Sequence, residues 1–221
     1  MNRSEDDSPA AADGPRDSRA AERLIAFSDA VVAIAITLLA LELPVPSGHT
    51  FSRYWSSVRA NDGHYLAFLI SFGAIAAAWK QHHRIFNYIE RVDPRLRNLN
   101  LVWLLMIVLN PFATKLLTTE GQDSLTVHAL TFGFYSLLQT LAAVTMLAMV
   151  HRMKTRSLLT SDAPPSLVTD TDQHSLGVIL GFGLSIPVFF ATTYGWILWF
   201  ASPILLRQAR RILSRKDPEP A

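Results

Sequence analysis

The sequence predicts an all-α integral membrane protein with six transmembrane helices per chain and both termini on the cytoplasmic side. Half of the 221 residues are hydrophobic, 17% are charged, and the mean hydropathy is +0.23. Much of the charge lies at the two ends of the chain, so the interior consists of apolar runs separated by short polar segments. Each run has roughly the 20 residues that an α-helix needs to cross a ~30 Å hydrocarbon core. Repeated runs of this length favour membrane spans over a soluble core.

The first span is predicted at 23–43, after a polar tail. Residues 1–22 mix acidic, basic, Pro and Ala residues without apolar periodicity, which predicts a disordered cytoplasmic tail. The span ends where Pro44 and Pro46 stop the helix. A cleaved signal peptide is the alternative interpretation of this run. The run is too long for a typical apolar signal segment, carries Asp29, and is not followed by a small-residue cleavage site.

Five further apolar segments predict the remaining spans. Residues 47–62 are predicted to form an extramembrane loop, with Tyr54 and Trp55 as anchors at the membrane interface. We assign 23–213 to one membrane domain and 214–221 to a cytoplasmic tail. The five spans after the first are predicted at 64–86, 98–118, 124–150, 174–192 and 195–212.

The distribution of Lys and Arg sets the orientation of these spans. Basic residues are dense in the N-terminal tail, at 80–97, at 151–156 and at 207–216, whereas the other loops carry few. The positive-inside rule places the basic segments in the cytoplasm. Because both termini then lie on the same side, the number of spans must be even, and six fits the hydropathy.

Asp29 is the unusual residue of the first span. A charged side chain inside the hydrocarbon region costs on the order of 2.5–3.5 kcal/mol on insertion scales, so such residues are usually paired and functional. Arg23 lies six residues earlier, which at ~100° per residue puts it about 120° away around the helix and poorly placed for pairing. A neighbouring helix must therefore supply the partner. By topology the candidates are Trp79, Lys80, His82, His83, Arg84, Asn98 and Asn100.

Two roles for Asp29 stay open at this stage. In the first, it belongs to a static polar cluster that holds the first three spans together. In the second, protonation of Asp29, His82 or His83 gates a pathway. A metal site is not expected, because adjacent histidines point about 100° apart on a helix and chelate one ion poorly.

No catalytic constellation is present. The chain has no cysteine, which excludes disulfides, thiolate metal sites and thiol nucleophiles. It also lacks a nucleophile elbow, an HExxH motif, a phosphate loop and a TVGYG-type carbonyl filter. We therefore expect neither an enzyme nor a cofactor. The C-terminal arginines are expected to face lipid headgroups rather than nucleic acid.

The pattern of Arg23, Phe27, Ser28 and Asp29, followed by the apolar run at 30–39, resembles the transmembrane protein 175 family of potassium-permeable channels. The similarity is to the prokaryotic type, which has one six-helix unit per chain. The segment WKQHHRIF at 79–86 is also similar. The resemblance implies a homotetramer in the prokaryotic plasma membrane, with the first helix of each subunit lining a central pore for potassium ions.

The resemblance also implies which residues act. Stacked apolar rings of Ile34, Leu38 and Leu41 would form the constriction, and Thr37 would offer a hydroxyl near the narrow point. The three apolar residues do share one helical stripe, although periodicity alone would assign that stripe to lipid or to helix packing. The signature residues Arg23, Phe27, Ser28 and Asp29 would pack with Trp79, with His82 or His83, and with Asn98 or Asn100.

Three functional hypotheses follow. The first is a potassium-permeable channel of weak to moderate selectivity, because apolar rings do not replace the hydration shell of an ion. The second is a proton-coupled secondary transporter or proton pathway that uses Asp29 and His82 or His83. The third is a structural or lipid-binding membrane protein whose arginine-rich C-terminus contacts anionic lipid.

Overall fold

A computed structural model describes residues 14–119, 124–202 and 208 of the protein. The regular elements in these ranges are helices, which confirms the all-α prediction, and one isolated antiparallel bridge joins Ile89 to Leu159. Residues 197–202 begin a further helical segment near the end of the described chain. The six helices with defined bounds are α1 (Gly14–Leu41), α2 (Phe51–Ala60), α3 (Asp62–Phe86), α4 (Pro94–Leu117), α5 (Leu125–Thr155) and α6 (Pro165–Phe189).

Two segments predicted to be irregular contain helix. Helix α1 begins at Gly14, so 14–22 continues the first span rather than belonging to a disordered tail. The stretch 19–23 consists of Arg, Ala and Glu, which have high helix propensity. The predicted loop at 47–62 contains α2, which Thr50 caps by accepting a hydrogen bond from the Arg53 backbone N–H at 3.4 Å.

The later boundaries also differ from the hydropathy estimate. Helix α6 begins at Pro165, nine residues before the predicted start of its span at 174, because proline is well tolerated in the first helical turn. The last predicted span, 195–212, is described only at 197–202 and at 208, all of which are helical. The predicted tails at 1–13 and 214–221 lie outside the described residues.

Three helices are long and apolar enough to cross a membrane: Arg19–Leu41, Pro94–Leu117 and Leu125–Thr155. Helices α3 and α6 also have 25 residues each; α3 carries charged residues at both ends, and α6 carries them near its N-terminus. Helix α2 has 10 residues and a length of about 15 Å, which is too short to span. The protein is therefore an integral membrane protein.

The loops at one end of the bundle are joined to each other. We call this end, formed by 87–93 and 156–164, the linker end. The Thr160 N–H donates to the Tyr88 carbonyl at 2.8 Å, and the Glu90 N–H donates to the Leu158 carbonyl at 2.9 Å. These bonds hold the α3–α4 connection beside the α5–α6 connection. At the opposite end, Lys115 and Glu42 form an ion pair at 2.8 Å.

The chain reverses direction after α6. Trp199 donates from Nε1 to Ser185 Oγ at 2.9 Å, and Ser202 Oγ donates to the Gly177 carbonyl at 3.2 Å. The helical segment that starts at 197 therefore runs antiparallel to α6 and packs closely against it. A Cβ atom at Gly181 would lie 3.0 Å from the Leu198 carbonyl oxygen, so this approach requires glycine.

Candidate functional site

Helix α1 has one buried face and one exposed face. Val32, Ala35 and Leu39 are 2%, 1% and 1% exposed and belong to the main hydrophobic cluster, which also includes residues of α3, α4 and α5. On the other side, Ile34, Leu38 and Leu41 are 58%, 43% and 79% exposed. A helix that packs on one side only leaves an apolar surface that no described residue of the chain covers.

Thr37 lies among these exposed apolar residues. Its hydroxyl donates to the Ile34 carbonyl at 2.7 Å, one turn earlier in the helix. This bond is local to α1, so the side chain does not tie α1 to another helix. The hydroxyl oxygen still has acceptor capacity on the exposed side.

Asp29 is held by α3. Trp79 donates from Nε1 to Asp29 Oδ1 at 2.8 Å, and His83 Nδ1 lies 3.7 Å from Asp29 Oδ2. The Trp79 and His83 rings are neighbours, with centroids 5.4 Å apart, as expected for residues four apart on a helix. The His83 and Asp29 side chains remain 40% and 35% exposed. Water can therefore reach this part of the cluster.

A second set of contacts is made by Ser28 and His82, each one residue before Asp29 and His83 in the sequence, and it is fully buried. Asn100 donates from Nδ2 to Ser28 Oγ at 2.9 Å, and its Oδ1 lies 2.8 Å from His82 Nε2. Ser28 in turn donates to the Leu24 carbonyl at 2.8 Å. Since Asn100 Oδ1 can only accept, His82 must carry its proton on Nε2. The chain of bonds joins α1, α3 and α4.

Aromatic stacking fixes the orientation of the His82 ring. The ring lies against Phe86 with centroids 3.8 Å apart and against Trp103 with centroids 4.4 Å apart. All three side chains are almost completely buried. The two stacked rings hold the imidazole in the plane from which its Nε2 contacts Asn100.

The structure separates the two histidines and the two asparagines that the sequence left open. His83 faces Asp29, whereas His82 faces Asn100 and Ser28. Asn98 is exposed and takes no part in either set. The sequence could not make this choice, because adjacent residues differ by ~100° around the helix and the rotation of α3 and α4 is set by packing.

Two signature residues lie outside these contacts. Phe27 is 52% exposed. Arg23 is exposed and makes no hydrogen bond or ion pair with another residue in the described part of the chain. Neither residue takes part in the hydrogen bonds that join Asp29 and Ser28 to α3 and α4, so the expected packing of both with Trp79, a histidine and an asparagine stays a prediction. Phe27 instead extends the exposed stripe of α1, seven residues before Ile34.

Ion pairs stabilise the linker end. Arg152 donates to Asp93 Oδ2 from Nε at 2.7 Å and from Nη2 at 2.6 Å, and Asp93 also caps α4 by accepting from the Leu96 N–H at 2.7 Å. Burial by itself raises the pKa of Asp93, but the Leu96 and Arg152 hydrogen bonds and the charges of Arg152 and Arg156 outweigh it, so the pKa is lowered.

Two further contacts between α3 and α6 had no clear signal in the sequence. Gln81 donates from Nε2 to the Thr171 carbonyl and to Ser175 Oγ, both at 3.0 Å. Arg84 Nη2 lies 2.8 Å from Asp170 Oδ2. Residues 170–173 lie before the predicted start of the span at 174, whereas in the structure they belong to α6, whose Asp170 and Thr171 contact α3. Among the described residues, no group of three or more His, Asp or Glu side chains could hold a metal ion.

Comparisons with known proteins agree on one family. A family model described as "Endosomal/lysosomal potassium channel TMEM175" matches residues 23–111. A potassium channel of Streptomyces collinus is 34% identical over 173 residues, which cover 77% of this chain and 82% of that protein. A crystal structure of a lysosomal potassium-selective channel TMEM175 homologue from Chamaesiphon minutus has a TM-score of 0.68 at 28% identity, covering 86% of this chain and 98% of that one.

A second solved structure, a variant of the potassium channel MtTMEM175 in complex with a nanobody fusion, has a TM-score of 0.62 at 25% identity. The match covers 87% of this chain and 93% of that one. The matched range of the family model, 23–111, contains both polar sets described above. The signature helix and its partners in α3 and α4 thus lie within the range that the family model matches.

Proposed function

Because this chain belongs to the TMEM175 family, we propose that it forms a potassium-permeable cation channel in the plasma membrane of a prokaryote. The observation that carries the proposal beyond family membership is the exposure of α1. This helix is the most apolar of the three clear spans, yet only 22% of its 18 most apolar consecutive residues are buried. The corresponding buried shares for α4 and α5 are 44% and 61%.

Assembly of several copies around α1 accounts for this exposure. The proposed channel is a homotetramer in which α1 of each subunit faces a central pore. The exposed stripe of Phe27, Ile34, Leu38 and Leu41 runs along most of the helix, so it can supply several successive apolar rings. The buried face, anchored through Asp29 and Ser28, fixes the rotation of α1 and hence the side from which these residues project.

We propose that the rings of Ile34, Leu38 and Leu41 form a hydrophobic constriction. An apolar constriction conducts when it is wide enough to stay wet and closes by dewetting when it narrows slightly. Thr37 lies between Ile34 and Leu38 in the helix, and its hydroxyl oxygen is the polar group nearest to the proposed constriction. A constriction of this kind keeps much of the hydration shell on the ion, so selectivity for potassium over sodium is expected to be weak to moderate.

The proposed topology has six spans with both termini in the cytoplasm. Helices α1, α3, α4, α5 and α6 and the segment starting at 197 supply the six spans. Helix α2 lies between the first two and is too short to cross. Arg84, Arg91, Arg95, Arg152 and Arg156 all lie near the linker end, which supports placing that end in the cytoplasm.

Ion flux from purified protein in liposomes tests the proposal. Potassium gradients are expected to drive flux that is not saturable, and single channels are expected to give ohmic currents. Sodium gradients should drive a smaller flux through the same protein. Protein that is correctly assembled by size-exclusion chromatography but passes neither ion would contradict the channel function.

A proton pathway is the second candidate, because His83 and Asp29 lie 3.7 Å apart and their side chains are 40% and 35% exposed, so water can reach this pair. That function predicts a saturable, pH-coupled flux, which Asp29→Asn abolishes. Ohmic potassium currents that persist in Asp29→Asn would exclude it. Potassium current through the Asp29→Asn variant therefore distinguishes the channel from the proton pathway.

A further inference from the structure

A lateral groove opens between α3, α5, α6 and residues 199–202, away from the exposed face of α1. Its volume is about 940 Å³. That size is at the upper end of the ~300–1,000 Å³ range of small-molecule sites in proteins. A groove this large in a membrane protein needs an occupant, since an unfilled apolar surface forfeits its packing contacts.

The α3 wall of the groove changes from apolar to basic along its length. Leu66, Leu69, Gly73 and Ala77 follow each other at intervals of three or four residues and so form one stripe, which continues to Lys80 near the linker end. At Gly73 a Cβ atom would meet no other heavy atom within 4 Å. The groove is therefore wide beside its apolar part.

A buried hydrogen-bond donor lines the middle of the groove. Gln139 of α5 is 7% exposed; its side chain interacts with Tyr135, but its Nε2 makes no hydrogen bond of normal length and angle. A buried donor without an acceptor costs roughly 1–3 kcal/mol. A ligand that brings a carbonyl oxygen to this position would remove that cost, whereas a plain hydrocarbon chain would not.

The basic end of the groove carries one uncompensated positive charge. Arg84 is paired with Asp170 at 2.8 Å, and both line the groove. Lys80 also lines it, is exposed, and has no ion pair with any residue that the structure describes. The fixed charges of these three residues leave a net +1, so an anionic ligand is favoured there.

From these features we propose that the groove binds a phospholipid with an anionic headgroup. Lys80 holds the headgroup, an ester carbonyl of the glycerol backbone accepts from Gln139 Nε2, and an acyl chain lies along the stripe from Gly73 to Leu66. Along the groove, Lys80, Gln139 and the apolar stripe follow one another in the same order as the charged headgroup, the ester and the hydrocarbon chain of a lipid in the cytoplasmic leaflet. The site is separate from the proposed pore and does not depend on it.

Native mass spectrometry of the delipidated full-length protein, titrated with phosphatidylglycerol or phosphatidylcholine, tests this site. Lys80→Gln is expected to weaken phosphatidylglycerol binding about fivefold, as for one basic residue near anionic lipid, and to leave phosphatidylcholine binding unchanged. Gln139→Leu is expected to weaken binding of both lipids, because both carry ester carbonyls. The melting temperature of the Gln139→Leu variant checks that its bundle is folded before lipid binding is compared.

Lys154→Gln is the matched control, because Lys154 is an exposed lysine near the linker end that does not line the groove. Equal weakening by Lys80→Gln and Lys154→Gln, or equal affinity of the unmodified protein for the two lipids, would overturn the proposal. A second copy of the chain is the competing occupant. Since the chain has no cysteine, Gly73→Cys reports on it directly: disulfide-linked dimers on oxidation would show protein in the groove and overturn lipid binding.

Discussion

The indole N–H of Trp79 donates to the Asp29 carboxylate at 2.8 Å and joins the signature of α1 to α3. One carboxylate oxygen of Asp29 thus accepts a hydrogen bond from a tryptophan rather than from an arginine or lysine. His83 approaches the other oxygen at 3.7 Å, which is beyond hydrogen-bond distance. The main partner of the Asp29 carboxylate is therefore a neutral N–H donor. Because the side chain is partly exposed, water can bind the other carboxylate oxygen.

Trp79→Phe is expected to weaken the attachment of α1 to α3. The change removes the donor while keeping an aromatic ring, and the cost should be about 1 kcal/mol because the carboxylate is partly exposed and can bind water instead. The melting temperature of the purified protein measures the effect. Trp196→Phe is the control, because Trp196 lies at the opposite end with a similar exposure of 42%, against 39% for Trp79. Equal losses in the two variants would contradict a specific role for the Trp79 bond.

Asn100→Leu is expected to destabilise the bundle strongly. The substitution leaves His82 Nε2 without its acceptor and Ser28 without its donor, in a site where all three side chains are 0% exposed. Each unsatisfied buried group costs roughly 1–3 kcal/mol, so the loss should exceed 2 kcal/mol.

Asn98→Leu provides a close control, since Asn98 is on the same helix only two residues away but exposed. Thermal or denaturant unfolding of both variants in the same detergent gives the comparison. A similar stability for Asn100→Leu and Asn98→Leu would show that the buried set contributes little.

The Asp93–Arg152 pair predicts a loss of stability in acid. The pKa of Asp93 is lowered from its ordinary value of 3.8 in the folded protein, so the folded state binds a proton less readily than the unfolded chain. The resulting stabilisation is complete above that ordinary pKa and disappears as the pH falls through the lowered value. Unfolding measured from pH 7 to pH 3 should show this decline.

Asp93→Asn should lose about 1 kcal/mol at neutral pH and show a weaker acid decline than the unmodified protein. Asp162→Asn is the control, because Asp162 is exposed near the linker end and forms no ion pair with another described residue. Parallel pH profiles for the unmodified protein and Asp93→Asn would refute the assignment.

Leu38→Asn is expected to raise potassium flux in liposomes, because a polar side chain in an apolar ring keeps the constriction wet. Ile34→Asn and Leu41→Asn should act in the same direction. Leu137→Asn is the matched control: Leu137 on α5 is also a leucine with 43% exposure, but lies outside the proposed pore. Unchanged flux in all three α1 variants, or an equal change in Leu137→Asn, would remove the pore assignment.

Cysteine substitutions in the naturally cysteine-free chain provide a second measurement at the same positions. A water-soluble thiol reagent should block flux through Leu38→Cys and leave flux through Leu137→Cys unchanged, because only a residue facing a wet pore is reached by the reagent. This result would show that Leu38 faces the pore, whereas Leu137, which has the same exposure, faces lipid.

The helical bundle was predictable from the sequence because the hydrocarbon core imposes a length on apolar segments. The boundaries were less predictable. The polar N-terminal part of α6 packs against α3, where Gln81 donates to the Thr171 carbonyl and Arg84 pairs with Asp170. Those partners lie about 90 residues away in the sequence, so hydropathy in a local window places the start of the helix too late.

The sequence by itself determined that the protein is helical and membrane-embedded, that Asp29 needs a partner from another helix, and, through its signature, which family it resembles. Tertiary structure decided which residues meet: His83 with Asp29, and His82 with Asn100 and Ser28. The physical reason is that one residue of rotation turns a side chain by ~100°, and only the packing of α1, α3 and α4 fixes that rotation. The same packing buries Leu39 and leaves Leu38 exposed.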